Sequence, residues 1–218
     1  MAGKNLMHVR LTLVEPILGS APADPDIYKA YIASKAPANK DTSDELEGIN
    51  VEDEMQKGIT VFHKFEDGTP HLMDHQIKGF FKNACSAMRD VPKSESSKLK
   101  AYKKKIDLNI FIKQRKIKFI DASDITIFQR PLRADTPQGP RVALSASERI
   151  EAGAKLEFDI EILVPDYYSV ICEWLDYGKY NGLGQWHNGS MGRFLWEELD
   201  DEGNKIAGNI SEIDTYGK

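Results

Sequence analysis

Residues 182–194 read GLGQWHNGSMGRF. Four glycines, Gly182, Gly184, Gly189 and Gly192, fall within these thirteen residues. Glycine loses more backbone freedom on folding than any other residue, so a cluster implies unusual dihedrals or close backbone approach. Just upstream, residues 166–178 place Val170, Ile171, Trp174 and Leu175 at helical spacing, and just downstream Phe194–Trp196 is strand-like. The stretch is therefore the loop of a helix–loop–strand unit. Such a loop can turn backbone N–H groups toward an anion. Trp186, His187, Asn188 and Arg193 add stacking and hydrogen bonding to that possibility. The competing reading is a tight turn that binds nothing, and the two stand level.

The patterns on either side extend the unit. Leu156, Phe158, Ile160 and Ile162 alternate with charged residues, as do Met7, Val9, Leu11 and Leu13 with His8, Arg10 and Thr12. Period-two alternation predicts half-buried strands. Ile77, Phe80, Phe81, Ala84, Cys85 and Met88 follow helical spacing and predict an amphipathic helix over 76–89. Its N-terminal end favours anions, Lys78 and Lys82 lie on its polar side, and Gly79 permits close approach. Solvated lysines on a core helix are the alternative. Residues 27–35 predict a short helix capped by Asp26. Residues 58–65 predict a strand leading into a turn at Asp67-Gly68. Residues 92–105 predict a polar connector ending in a helical turn, 106–120 a strand with lysines on one face, and 125–128 a further short strand. Residues 129–147, QRPLRADTPQGPRVALSAS, carry three prolines and three arginines and predict a long loop or extended hairpin arm.

This order suits an antiparallel sheet with helices on one face, an α+β, ferredoxin-like or RRM-like arrangement. The expected organisation is one domain over 1–218. An acidic insertion spans about 36–57, the arm about 129–147, and a loosely held acidic tail 197–218.

Composition narrows the function. No apolar run approaches the roughly 20 residues of a membrane span. Lys4, His8 and Arg10 interrupt the first apolar residues, unlike a signal peptide. Cys85 and Cys172 sit in apolar helical patterns, which predicts buried free thiols in a reducing, cytoplasmic setting. No Cys/His spacing resembles a zinc site, and neither metal nor cofactor is expected. The formal charge is −5, yet residues 93–118 hold ten lysines and arginines against Glu95 and Asp107. A basic surface on an acidic protein is an electrostatic footprint for a polyanion, or merely the solvent face of its elements.

Three segments resemble the RAMP superfamily, the RNA-binding proteins of CRISPR effector complexes, and in particular the backbone subunits that polymerise along guide RNA. HLMDHQIKGFFKNACSAMR (71–89) is similar to the start of the family's first core helix. RVALSASERIEAGAKLEFDIEIL (141–163) is similar to the segment where an arginine and a glutamate, here Arg141 and Glu148, precede an alanine-glycine turn and a long strand; Glu151 replaces the usual proline. GLGQWHNGSMGRF resembles the C-terminal glycine-rich loop. The likeness runs over about 71–196 plus the first strand. It implies a modified ferredoxin-like domain with an inserted hairpin at 129–147. It also implies nucleic-acid contact by Lys78, Gly79, Lys82, Gly182, Gly184, Gln185, His187, Asn188, Gly189 and Arg193. Arg130, Arg133 and Arg141 of the arm join this set. Lysine and arginine suit phosphates, glycine close approach, and rings stacking on single-stranded bases.

The expected function is a noncatalytic nucleic-acid-binding protein of RAMP type, taking single-stranded RNA and assembling along it as a homo-oligomer. The main alternative is a phage-encoded interaction protein that inhibits or mimics a CRISPR or defence-complex subunit, motivated by the acidic insertion and tail. A third reading is a metal-independent endoribonuclease, motivated by His63, His71, His75 and His187. No catalytic residue is assigned.

Overall fold

The computed structural model describes residues 4–23, 59–136 and 139–212, with the backbone alone over 132–144. The expected helix at 27–35 and the acidic insertion at 36–57 lie outside the described residues. The strands run in chain order as β1 (Leu6–Leu13), β2 (Ile17–Leu18), β3 (Ala21–Pro22), β4 (Ile59–Val61), β5 (His63–Lys64) and β6 (Pro70–Met73). Helix α1 (Asp74–Met88), helix α2 (Tyr102–Asn109), β7 (Ile110–Ile112) and β8 (Lys116–Ile120) follow. Then come β9 (Thr126–Thr136), β10 (Gly139–Ile150), β11 (Lys155–Ile162), α3 (Tyr168–Tyr177), β12 (Phe194–Leu199) and β13 (Lys205–Gly208).

The main sheet has the order β13-β12-β1-β11-β8-β6-β5, with β7 also on β11. Its pairings are antiparallel, with Val9 opposite Phe158 on one side and Leu11 opposite Trp196 on the other. Taking β1, α1, β8, β11, α3 and β12 in chain order gives βαββαβ, and the four strands lie as β12-β1-β11-β8. This is the ferredoxin-like interleaving that the sequence patterns predict.

One face of the sheet is apolar because the alternation puts it there. Met7, Val9, Leu11 and Leu13 of β1 and Leu156, Phe158, Ile160 and Ile162 of β11 are buried against the helices. Helix α1 contributes Ile77, Phe80, Phe81, Ala84 and Cys85, and α3 contributes Val170, Ile171, Trp174 and Leu175. The two helices meet through Phe81 and Trp174, whose ring centroids are 5.5 Å apart. Such ring pairs add about 0.5–1.5 kcal/mol beyond area burial. Both cysteines are free thiols, and burial pushes Cys172 up to about 11.

The smaller sheet has the order β2-β10-β4-β3, with β9 on β10. Strands β9 and β10 form one long antiparallel hairpin from Thr126↔Arg149 to Thr136↔Gly139, so the arm is a hairpin and it absorbs the short strand expected at 125–128. The chain passes from the small sheet to the large one at Phe62. The buried Glu148 carboxylate holds that crossing by accepting from the Phe62 N–H at 2.9 Å and from Lys64 Nζ.

Two expectations are corrected. Residues 106–120 are not one strand: 102–109 is helical, and β7 and β8 are separate. The residues after Glu197 are not loosely held as far as 212. Strand β13 pairs with β12, Arg10 bonds Glu197 at 3.1 Å, and Glu198 is fully buried between Lys4 and Tyr168, each at 2.7 Å.

Candidate nucleic-acid interface

The sheet face away from the helices is the natural place to look first, because it is the face an RRM-like fold leaves open. Its centre is occupied by side chains paired with one another. His8 Nδ1 lies 2.6 Å from Asp159, Arg10 reaches Glu157 and Glu197, and Gln114 bonds Asp159 at 2.9 Å. His8 and Gln114 hold the Asp159 carboxyl below its usual range against the opposing effect of desolvation, which is the largest single influence on it. Carboxylates outnumber cations here, so this region repels a polyanion.

The concave surface lies elsewhere, between α1 and the glycine-rich loop. Ser20, Gln76, Gly79, Phe80, Asn83, Gly182, Leu183, Gly184 and His187 line a cleft of about 250 Å³. Gln76, Gly79 or Phe80, and Asn83 recur at helical spacing, so one stripe of α1 forms its floor. A Cβ at Gly79 would meet nothing within 4 Å, so the missing side chain leaves open space rather than relieving a clash. Gln76 fixes one end. Its Oε1 accepts the Met73 N–H at 2.7 Å, closing the helix start, and its Nε2 donates to Ser20 at 2.9 Å. A second cleft of about 590 Å³ continues past Ser20 and Gln76 along Val61, Phe62, His63, Lys64, Met73 and His75. Together the clefts make one groove from the glycine loop to the β5 edge.

The structure thus brings Gly79, Gly182, Gly184 and His187 together. His187 Nδ1 lies 3.3 Å from the Gly184 carbonyl, which points the ring along the loop. Asn188 is exposed in the single 3-10 turn His187–Gly189. Gln185 turns inward to Thr60 at 2.6 Å and Ser147 at 3.1 Å, pinning the loop to the small sheet. Arg193 pairs with Glu15 at 2.7 Å and serves the same anchoring. Lys78 and Lys82 face α2 and β7 instead: Lys78 sits 4.7 Å over the Phe111 ring and Lys82 bonds Asp107 at 2.7 Å. Arg133 and Arg141 lie along the arm opposite Val142 and Ala134, and their side chains are outside the described residues.

The glycines themselves answer to the chain. A Cβ at Gly182 would lie 2.1 Å from the Gly192 carbonyl carbon, and one at Gly189 would lie 2.4 Å from the Trp186 ring. A Cβ at Gly184 would lie 2.6 Å from the Leu18 carbonyl oxygen. Packing of the loop on itself and on β2 accounts for these close approaches without a phosphate.

Sequence reasoning missed Gln76 and Asn83. The signal was present, since both share the Gly79 face of the predicted helix. It also missed the ring stack at the arm's root, where Trp186 faces Phe128 at 5.8 Å and Arg130 at 3.9 Å. That contact spans more than fifty residues and has no local signature. His71 is buried under Phe65 beside the His63 ring, and His63 and His75 line one cleft while His187 lines the other, so the four histidines do not form a single cluster.

Neither a protein-family model nor a curated protein matches the chain. Among solved structures it is similar to a chain of the Type III-B Cmr-beta bound to cognate target RNA, determined by cryo-EM. The identity is 12%, the TM-score 0.48, and the match covers 89% of this chain. This chain spans 58% of the other's length. No helix among the described residues is long and apolar enough to cross a membrane.

Proposed function

We propose that the chain is a noncatalytic nucleic-acid-binding protein that takes single-stranded RNA in the groove between α1 and the glycine-rich loop. The carrying observation is the open space at Gly79, flanked by Gln76, Asn83 and His187. Amide and imidazole groups on a partly apolar floor can pair with base edges and ribose hydroxyls. The resemblance of the three sequence segments to the RAMP superfamily directs the choice of RNA over DNA. Assembly along the strand belongs to the same reading.

The test is purification without added nuclease, recording the 260/280 nm ratio and mass by light scattering across one column peak. Anisotropy with matched RNA and DNA oligomers then follows. Co-purifying RNA and tighter binding to RNA are the expected results. A clean monomer that binds neither oligomer removes the reading and favours the interaction protein, for which the acid-rich centre of the open sheet face is the surface to probe.

A further inference from the structure

Affinity for a nucleic acid comes largely from phosphate contacts, yet the groove is poor in cations. Lys64 is the one lysine or arginine among the described residues lining its two clefts, and it is already paired with Glu148. The needed charge lies just around the β5 edge. A third hollow, of about 540 Å³, shares Lys64 with the groove and is otherwise lined by Phe65, Glu66, Asp67, Lys116 and Lys118.

This hollow is built on the sheet face away from the helices. In β8, Ile117 and Phe119 turn into the core while Lys116 and Lys118 turn out. His63, His71 and Lys118 form one cross-strand row over β5, β6 and β8. The His63 ring is exposed and stacks on His71 with centroids 5.9 Å apart; Phe65 lies 4.4 Å from His71 and has the Lys116 ammonium 5.4 Å above it. Among the described residues no carboxylate lies within ion-pair distance of Lys116 or Lys118. Two acids of the β5–β6 turn, Glu66 and Asp67, line the same hollow; Asp67 accepts from the Thr69 N–H at 2.9 Å, and that bond together with the charge of Lys118 lowers its pKa. His71 Nδ1 is buried without a hydrogen-bond partner.

We propose that a single strand seated in the groove continues over the β5 edge onto this hollow. Lys116 and Lys118 contact its phosphates, and His63 and Phe65 offer rings to a base. The site rests on the nucleic-acid reading above and adds a direction to the bound strand: from the glycine loop, along α1, to β8.

The test compares a short oligouridylate of ~5 nucleotides with one of ~15, within the span of single-strand site sizes, by anisotropy at several salt concentrations. The parent is expected to bind the longer oligomer more tightly and with a steeper salt slope. The Lys116→Ala/Lys118→Ala variant is expected to keep the short-oligomer affinity, lose the gain with length, and flatten the slope by about 0.7 per lysine. A Lys103→Ala/Lys104→Ala control on α2 is expected to match the parent. Equal length gain in the β8 variant, or equal loss in the α2 control, overturns the proposal and leaves the groove reading standing. Failure of the parent to bind either oligomer overturns both.

Discussion

The guanidinium of Arg130 lies 3.9 Å from the centroid of the Trp186 ring. Phe128 stacks near the same ring at 5.8 Å, and Arg149 lies 5.9 Å from Phe128. The stack fastens the root of the β9–β10 hairpin to the glycine-rich loop. Trp186 holds a left-handed backbone conformation, φ 56°, which a bulky side chain adopts only when its surroundings compel it.

Removing the ring should free the arm. Trp186→Ala is expected to lower stability by about 1–2 kcal/mol and to speed tryptic cleavage at the arm's arginines. Limited proteolysis at matched temperature reads this directly. Unchanged cleavage rates would show that the hairpin is oriented by something other than the stack.

Gly79 separates fold from function. A Cβ there meets nothing, and alanine is favoured over glycine in a helix interior by about 1 kcal/mol, so Gly79→Ala should raise the thermal midpoint. Gly79→Phe should fill the groove and weaken RNA binding at least tenfold while leaving the far-ultraviolet spectrum intact. Parental binding by the phenylalanine variant would sink the groove as the binding site.

Gly182 has the opposite character. Its absent Cβ is where the Gly192 backbone passes, and Leu183 donates its N–H to the Gly192 carbonyl at 3.0 Å. Gly182→Ala is expected to cost about 1–3 kcal/mol through overpacking, seen as a lower urea midpoint with or without RNA. A variant of parental stability would mean that the loop has a second, equally good packing.

Acid should destabilise the protein through His71. Burial, then Lys116 and His63, hold its pKa below the ordinary histidine range. The unfolded chain therefore takes up the proton first, near about 6.5. The contribution of His71 to stability is complete above that pH and is lost as pH falls through the depressed folded value. Urea midpoints near pH 7.5 and pH 5.5 should differ more for the parent than for His71→Phe, which keeps a ring under Phe65. The same difference in both proteins would remove His71 as the cause.

Legibility followed the range of the interactions. Strands β1 and β11 and helix α1 were readable because each buries one face and the period of that face is written locally. Residues 106–120 misled because Ile106, Leu108, Ile110 and Ile112 alternate like a strand. In the structure Ile106 is buried from a helix and Leu108 is more than half exposed, so the period was accidental. The acidic stretch from Glu197 looked solvated because its partners, Lys4, Arg10 and Tyr168, lie far away in sequence.

The amino-acid pattern alone determined the α+β class, the one-sided sheet and the position of the arm, because burial of an apolar face is dictated by periodicity. Where the charges and glycines act was decided only by tertiary structure. Lys78 and Lys82 share a helix with Gly79, yet they point at α2 and β7, while Gly79 faces the loop at Gly182–His187. A helix presents its side chains all round, and only the packing of its neighbours settles which stripe becomes floor, which becomes bridge and which remains open to a ligand.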